Sequence, residues 1–266
     1  MVIDAHVHVW PDAIAARALA RPAEDLVRYG DGRVATALAT MDAAGIDRAV
    51  ALGVANRAAQ VESANAFVGG LDRDRFIPFG TIHPDLDPEE NVASLQRHAI
   101  RGVKLHPLFQ SYALDDARLW AVLEAMEDRW PAIVHVGAGG ASVHGGSCTP
   151  AMLRAVARRF PNLRLIACHF GGYRMLDEAE HHVIGAPVHV DTSWPPSAGA
   201  IGAERLRELI DRHGADRVIF ATDWPMADPA AELAVIRGLG LPDAQLAGIL
   251  GGNLSRLLAP AADDPR

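Results

Sequence analysis

Val2-Ile3-Asp4-Ala5-His6-Val7-His8-Val9-Trp10 opens the chain, alternating strictly around two histidines. Alternate side chains on a β-strand share a face, so His6 and His8 point the same way. Two neutral imidazoles on one strand face suit a single metal ion. Two separately hydrogen-bonded core histidines are the competing account, and the rest of the chain decides between them.

Outward from that strand, short Val-, Ile-, Leu- and Ala-rich segments alternate with segments of helical period. The strands are expected at Val2–Val9, Arg48–Val54, Phe76–Ile82, Gly102–His106, Ala132–Val136, Arg164–His169, Val188–Thr192 and Arg217–Thr222. Such runs suit parallel strands covered on both faces. Helix signals lie between them. Gly45 stops one helix, Asp115 or Asp116 caps another, and Thr149-Pro150 reads as N-cap and first turn of a third. Eight such units predict an α/β fold, a single-domain (β/α)8 barrel over residues 1–258 with a frayed tail at 259–266. An open doubly wound sheet is the alternative. It is weakened because no Gly-X-Gly-X-X-Gly turn follows the first strand. The stretch Trp10–Gly32 is read as an excursion over the barrel mouth or, equally, as a packing helix.

Composition narrows the function. The 266 residues are 50% hydrophobic and 22% charged, which suits a folded protein with a large core. A net charge of -8 argues against nucleic acid, whose phosphates need a basic face. No apolar run is long enough to span a bilayer, and the start lacks a signal region, so a cytoplasmic location is expected. Cys148 and Cys168 make no disulfide framework. The expected partner is a small-molecule substrate, and a homodimer is left open.

Awkwardly polar residues gather at the C-terminal ends of the strands, the face where barrel active sites lie. They are His6 and His8, Lys104 and His106, His135, His169, and Asp223. Side-chain parity supports an inward set. Lys104 pairs with His106, Ile133 with His135, Ala167 with His169, and Ala221 with Asp223, which leaves Cys168 facing the helices. His6, His8 and His135 offer nitrogen and Asp223 offers a carboxylate. That set suits one divalent ion, zinc first, with manganese, iron, cobalt or nickel also compatible. Asp223 can both bind the metal and accept a proton from activated water. His169 is placed as a catalytic group or a further ligand. Lys104 has three readings: a cation for a substrate carboxylate, a carboxylated lysine bridging two metals, or a salt bridge to a carboxylate such as Asp191.

The segments His6-Val7-His8, Gly102-Val103-Lys104-Leu105-His106-Pro107, His135-Val136-Gly137, Cys168-His169-Phe170-Gly171-Gly172, Asp191-Thr192-Ser193 and Phe220-Ala221-Thr222-Asp223-Trp224-Pro225 resemble the amidohydrolase superfamily. The nearest branch is similar to the group containing aminocarboxymuconate-semialdehyde decarboxylase, resorcylate-type decarboxylases and pyrone-dicarboxylate lactonase. The resemblance runs to Gly252-Asn253-Leu254. It implies a metal ion in the barrel mouth held by His6, His8, His135 and Asp223, with His169 beside the activated water. It implies a metal-dependent hydrolase of an amide, lactone or ester, with a non-oxidative decarboxylase as alternative. This chain is short and carries no recognisable lid insertions, so those enzymes' substrate contacts have no counterparts here.

Around that set, His106, Trp10 and Trp224 are candidate substrate-contacting walls, with packing as the rival account. His144 lies in a Gly-rich loop that reads best as a plain connection. His189 reads as core. His98, His181, His182 and His213 lie on helices and read as solvated.

Overall fold

In the computed structural model, residues 1–20, 28–126, 128–138 and 146–259 are described. His144 and most of the tail lie outside them, as does the middle of the Trp10–Gly32 stretch. Eight parallel strands run in chain order: β1 Ile3–Val7, β2 Arg48–Leu52, β3 Phe76–Thr81, β4 Gly102–Leu105, β5 Ala132–Val134, β6 Leu165–Ala167, β7 His189–Asp191 and β8 Val218–Ile219. Every expected strand is present, each somewhat shorter than read. Ala5 donates to the Phe220 carbonyl and His8 to that of Trp224, closing the ring between first and last strands. The architecture is a single-domain (β/α)8 barrel.

Two apolar layers hold it together. Ile3, Val50, Phe79, Ile133, Ile166 and Ile219 fill the barrel interior, and Leu254 and Leu257 of the last helix plug its floor. Val7, Val9, Val103, Leu105, Val134 and Ala167 face outward onto the helices. The register of β1 against β2 shifts between Asp4 and Val7. Ile3 and Ala5 can therefore face inward low in the barrel, while Val7 and Val9 still face out higher up.

The helix signals take the form read from sequence. Gly45 adopts φ 70 after the helix Val34–Ala44, a left-handed turn that costs glycine least. Thr149 accepts from the Met152 amide, and Asp116 from that of Arg118. Helix Asp12–Ala18 occupies the described start of the long first connection. The far end of that connection docks on the mouth. Tyr29 and Gly30 donate to the Pro225 carbonyl, and a side chain at 30 would strike the Trp224 ring.

Candidate metal centre

β1 delivers His6 and His8, and the turn after β8 delivers Asp223. Asp4 ties these elements together. Its buried carboxylate accepts from the Thr222 hydroxyl at 2.6 Å and from the amides of Thr222 and His6 at 3.0 Å each. Burial pushes its pKa up to about 7, against the pull of those donors.

His6 Nε2 stands 3.2 Å from His8 Nε2 and 3.2 Å from Asp223 Oδ1, and His8 Nε2 lies 3.6 Å from the same oxygen. Tetrahedral zinc with bonds of about 2.0–2.1 Å has ligand–ligand edges of about 3.3–3.4 Å. These three atoms therefore have the mutual spacing of metal ligands, and they form one of two such groups among the described residues. The other joins His6 to Cys168 and Asp191.

Burial, assisted by the Lys104 charge, lowers the His8 pKa to about 3 and takes His6 well below 6.5. Both are thus neutral, as ligands must be. Burial raises Asp223 to about 8, with Lys104 opposing. A divalent cation would act in the same sense as Lys104.

His135 stands one ring away from this corner. Its Nδ1 is 3.0 Å from His169 Nε2, and its own Nε2 is buried without a partner. His169 in turn places Nδ1 3.1 Å from the Ser193 carbonyl and 2.9 Å from the Ser193 hydroxyl. Both ring nitrogens of His169 are thus engaged within the protein. Burial lowers its pKa to about 4 and that of His135 well below 6.5.

Parity misplaces two neighbours on β6: Ala167, expected inward, faces the helices, and Cys168 takes the inward place. Cys168 was expected to face the helices, yet it lies in the interior cluster and accepts from Lys104 Nζ at 3.2 Å. The strand keeps its alternation through Ile166 and Cys168. His169 then reaches the site because its backbone turns to φ 60. Alternation does not describe a residue beyond the strand's end.

Lys104 is fully buried at the floor of the site, and Nζ is 3.1 Å from His6 Nε2. Among the described residues it makes no ion pair with a carboxylate. The expected bridge to Asp191 is replaced by a different contact. Asp191 Oδ2 lies 2.9 Å from His6 Nδ1, while its Oδ1 takes the His169 and Ser193 amides and the Ser193 hydroxyl. Asp191 and Ser193, singled out in the sequence only as part of a resembling segment with no role for Ser193, are thus part of the site.

The candidate walls divide. His106 stacks on His135 at 4.3 Å and on Phe109 at 3.9 Å, and its Nδ1 is buried without a partner. Trp10 stacks on His8 at 5.8 Å. Trp224 is 2% exposed and packs in the layer between strands and helices, where a packing residue sits.

With this geometry in view, the amidohydrolase profile matches residues 3–259. The chain belongs to the amidohydrolase family. Solved structures share its fold over nearly their whole lengths. An uncharacterized TIM-barrel protein from Bordetella bronchiseptica, Bb4693, is 23% identical over 97% of this chain and 98% of its own, with a TM-score of 0.77. A Polaromonas dihydroxybenzoic acid decarboxylase, with bound manganese and the inhibitor 2-nitroresorcinol, is 17% identical over 97% and 96%, TM-score 0.75. A candidate 2-pyrone-4,6-dicarboxylic acid hydrolase from Pseudomonas putida is 18% identical over 97% of each chain, TM-score 0.68. No curated protein sequence matches. Among the described residues, no helix is long and apolar enough to cross a membrane.

Proposed function

We propose that this amidohydrolase family member is a metal-dependent hydrolase that opens a C–N or C–O bond in a small carboxylate-bearing amide, lactone or ester. The observation that carries the reading is the corner where His6 Nε2, His8 Nε2 and Asp223 Oδ1 stand within 3.6 Å of one another. His6, His8 and Asp223 hold one ion there, while His135, which lies outside both ligand-spaced groups among the described residues, keeps an unpartnered Nε2 as a further candidate donor. Zinc suits this nitrogen-rich set, and manganese is the ion named in the Polaromonas structure. The ion supplies Lewis acidity, polarising a carbonyl and acidifying water.

The chain's own groups do the rest. Asp223 accepts the proton of the attacking water and returns it to the leaving group. Lys104 neutralises the substrate carboxylate at the floor. His106 and Trp10 flank a ring-shaped substrate, with the His106 Nδ1 free to hydrogen-bond it.

A second reading, loss of carbon dioxide from an aromatic acid, is favoured by Lys104. A fully buried ammonium that, among the described residues, makes no ion pair with a carboxylate is costly until an anion meets it. In that reaction Asp223 delivers a proton to the ring carbon as the C–C bond breaks.

The test is a panel of lactones, amides, esters and aromatic carboxylates offered to protein loaded with zinc or manganese. Acid release and carbon dioxide release are scored separately. Acid release from the first three classes is expected. Carbon dioxide release alone moves the assignment to the carboxy-lyase, and neither from a loaded protein defeats both.

A further inference from the structure

The end of β7 sets which nitrogen two histidines present to the metal. A neutral imidazole carries one N–H and one bare nitrogen. A backbone carbonyl can only accept. The Ser193 carbonyl, 3.1 Å from His169 Nδ1, therefore fixes the proton of His169 on Nδ1 and leaves Nε2 bare. Nε2 must then accept from its neighbour 3.0 Å away, so His135 Nδ1 carries that ring's proton. His135 Nε2 is left bare, and it is the atom found buried without a partner.

Counting from the other end gives the same sense. Asp191 Oδ2, an acceptor, lies 2.9 Å from His6 Nδ1, so His6 carries its proton there. Its Nε2 is bare, as the Lys104 ammonium donating to it at 3.1 Å independently requires. The Ser193 hydroxyl donates to Asp191 at 2.6 Å, which leaves its lone pairs toward His169. The His6 proton thus ends on Asp191, the His169 proton on the Ser193 carbonyl, and the His135 proton on His169.

We infer that Asp191 and the Ser193 carbonyl, acting for His135 through His169, are positioning groups that lock His6 and His135 as Nδ1–H tautomers with Nε2 bare for the ion. The inference rests on the metal reading above and adds the groups that prepare its ligands. His169 accordingly acts through His135.

The test is long-range 15N–1H NMR of the histidine rings in metal-free protein, paired with chelator-competition affinity for zinc. In the natural sequence, His6 and His135 are expected as Nδ1–H tautomers. Asp191→Asn puts an amide N–H against His6 Nδ1. That amide and Lys104 Nζ, 3.1 Å from Nε2, then face His6 as two competing donors, so its ring signals are expected to depart from the natural Nδ1–H pattern while His135 stays as it was. Zinc affinity falls about 10–100-fold, the usual effect of losing such a partner. A general loosening of the fold would not move one ring and spare the other. Nε2–H on either ring of the unaltered protein overturns the inference, whether or not the variant folds. So does an Asp191→Asn protein with His6 unchanged. Nδ1–H on both rings with no zinc binding upholds the tautomer assignment and overturns the metal reading instead.

Discussion

Asp223 sits in the left-handed region at φ 64, a conformation that Asp and Asn tolerate better than most side chains. Its carboxylate is also largely buried, beside two histidines. Both facts bear on Asp223→Asn. The amide keeps the backbone preference and removes a charge that is costly to bury. The metal-free variant is expected to melt no lower than the natural protein, while kcat falls by about 10²–10⁴-fold through loss of the proton carrier. Thermal melting and steady-state rates check the two halves separately. A lowered melting point with activity kept would reverse the assignment.

Much at this scale was readable in advance. His6, His8 and Lys104 follow from alternation along strands, and Asp223 from its place just past β8. Ala167 and Cys168 did not follow, because the parity was counted back from His169, where the backbone turns left-handed and alternation has already ended. Asp191 stood out as part of a resembling segment and as a possible partner for Lys104. Its true contact, 185 residues away at His6, depends on how β7 and β1 lie across the ring.

Among the elements, helix Ala203–His213 carries a pH response. His213 was read as solvated from its helical position, yet it is fully buried. Its Nδ1 accepts from the Gly185 amide, and its Nε2–H donates to the Val188 carbonyl. The burial comes from the tight chain reversal before β7, which helical periodicity does not report. Burial lowers its pKa to about 4. An unfolded histidine takes a proton near 6.5. Between those values the unfolded chain binds more protons, so this group's contribution is intact above pH 6.5 and is lost as pH falls toward 4. Gln can replace both hydrogen bonds without titrating. His213→Gln is expected to cost about 1 kcal/mol at pH 7. The natural protein should lose about 1–2 kcal/mol more than the variant between pH 7 and pH 5. Urea unfolding midpoints at the two pH values measure it, and parallel losses would refute the assignment.

For the molecule as a whole, the sequence rhythm was enough to give strand number and order, because parallel strands covered on both faces leave a plain alternating record. How the floor is sealed was not legible. Leu254 and Leu257 look like ordinary helix residues until they are found inside the ring with Ile3 and Ile219. Arg101 and Arg164 hold that helix by donating to the Leu258 and Leu257 carbonyls. Leu254→Ala opens a cavity at the end of the barrel away from the mouth. It is expected to lower unfolding free energy by about 2–5 kcal/mol and leave zinc affinity unchanged. Denaturant titration and chelator competition test the pair, and weakened zinc binding would mean that floor and mouth are coupled.

The tie between Asp4 and Thr222 spans 218 residues of chain. At roughly 5–20 residues per second of synthesis, tens of seconds or less separate the emergence of its two ends from a ribosome. During that interval the nascent polypeptide carries His6 and His8 without the oxygen that completes their corner. On the proposed metal reading, the corner cannot assemble until Asp223 has emerged, so loading waits for the last strand, and a stalled or truncated product without it lacks one of the three ligand atoms.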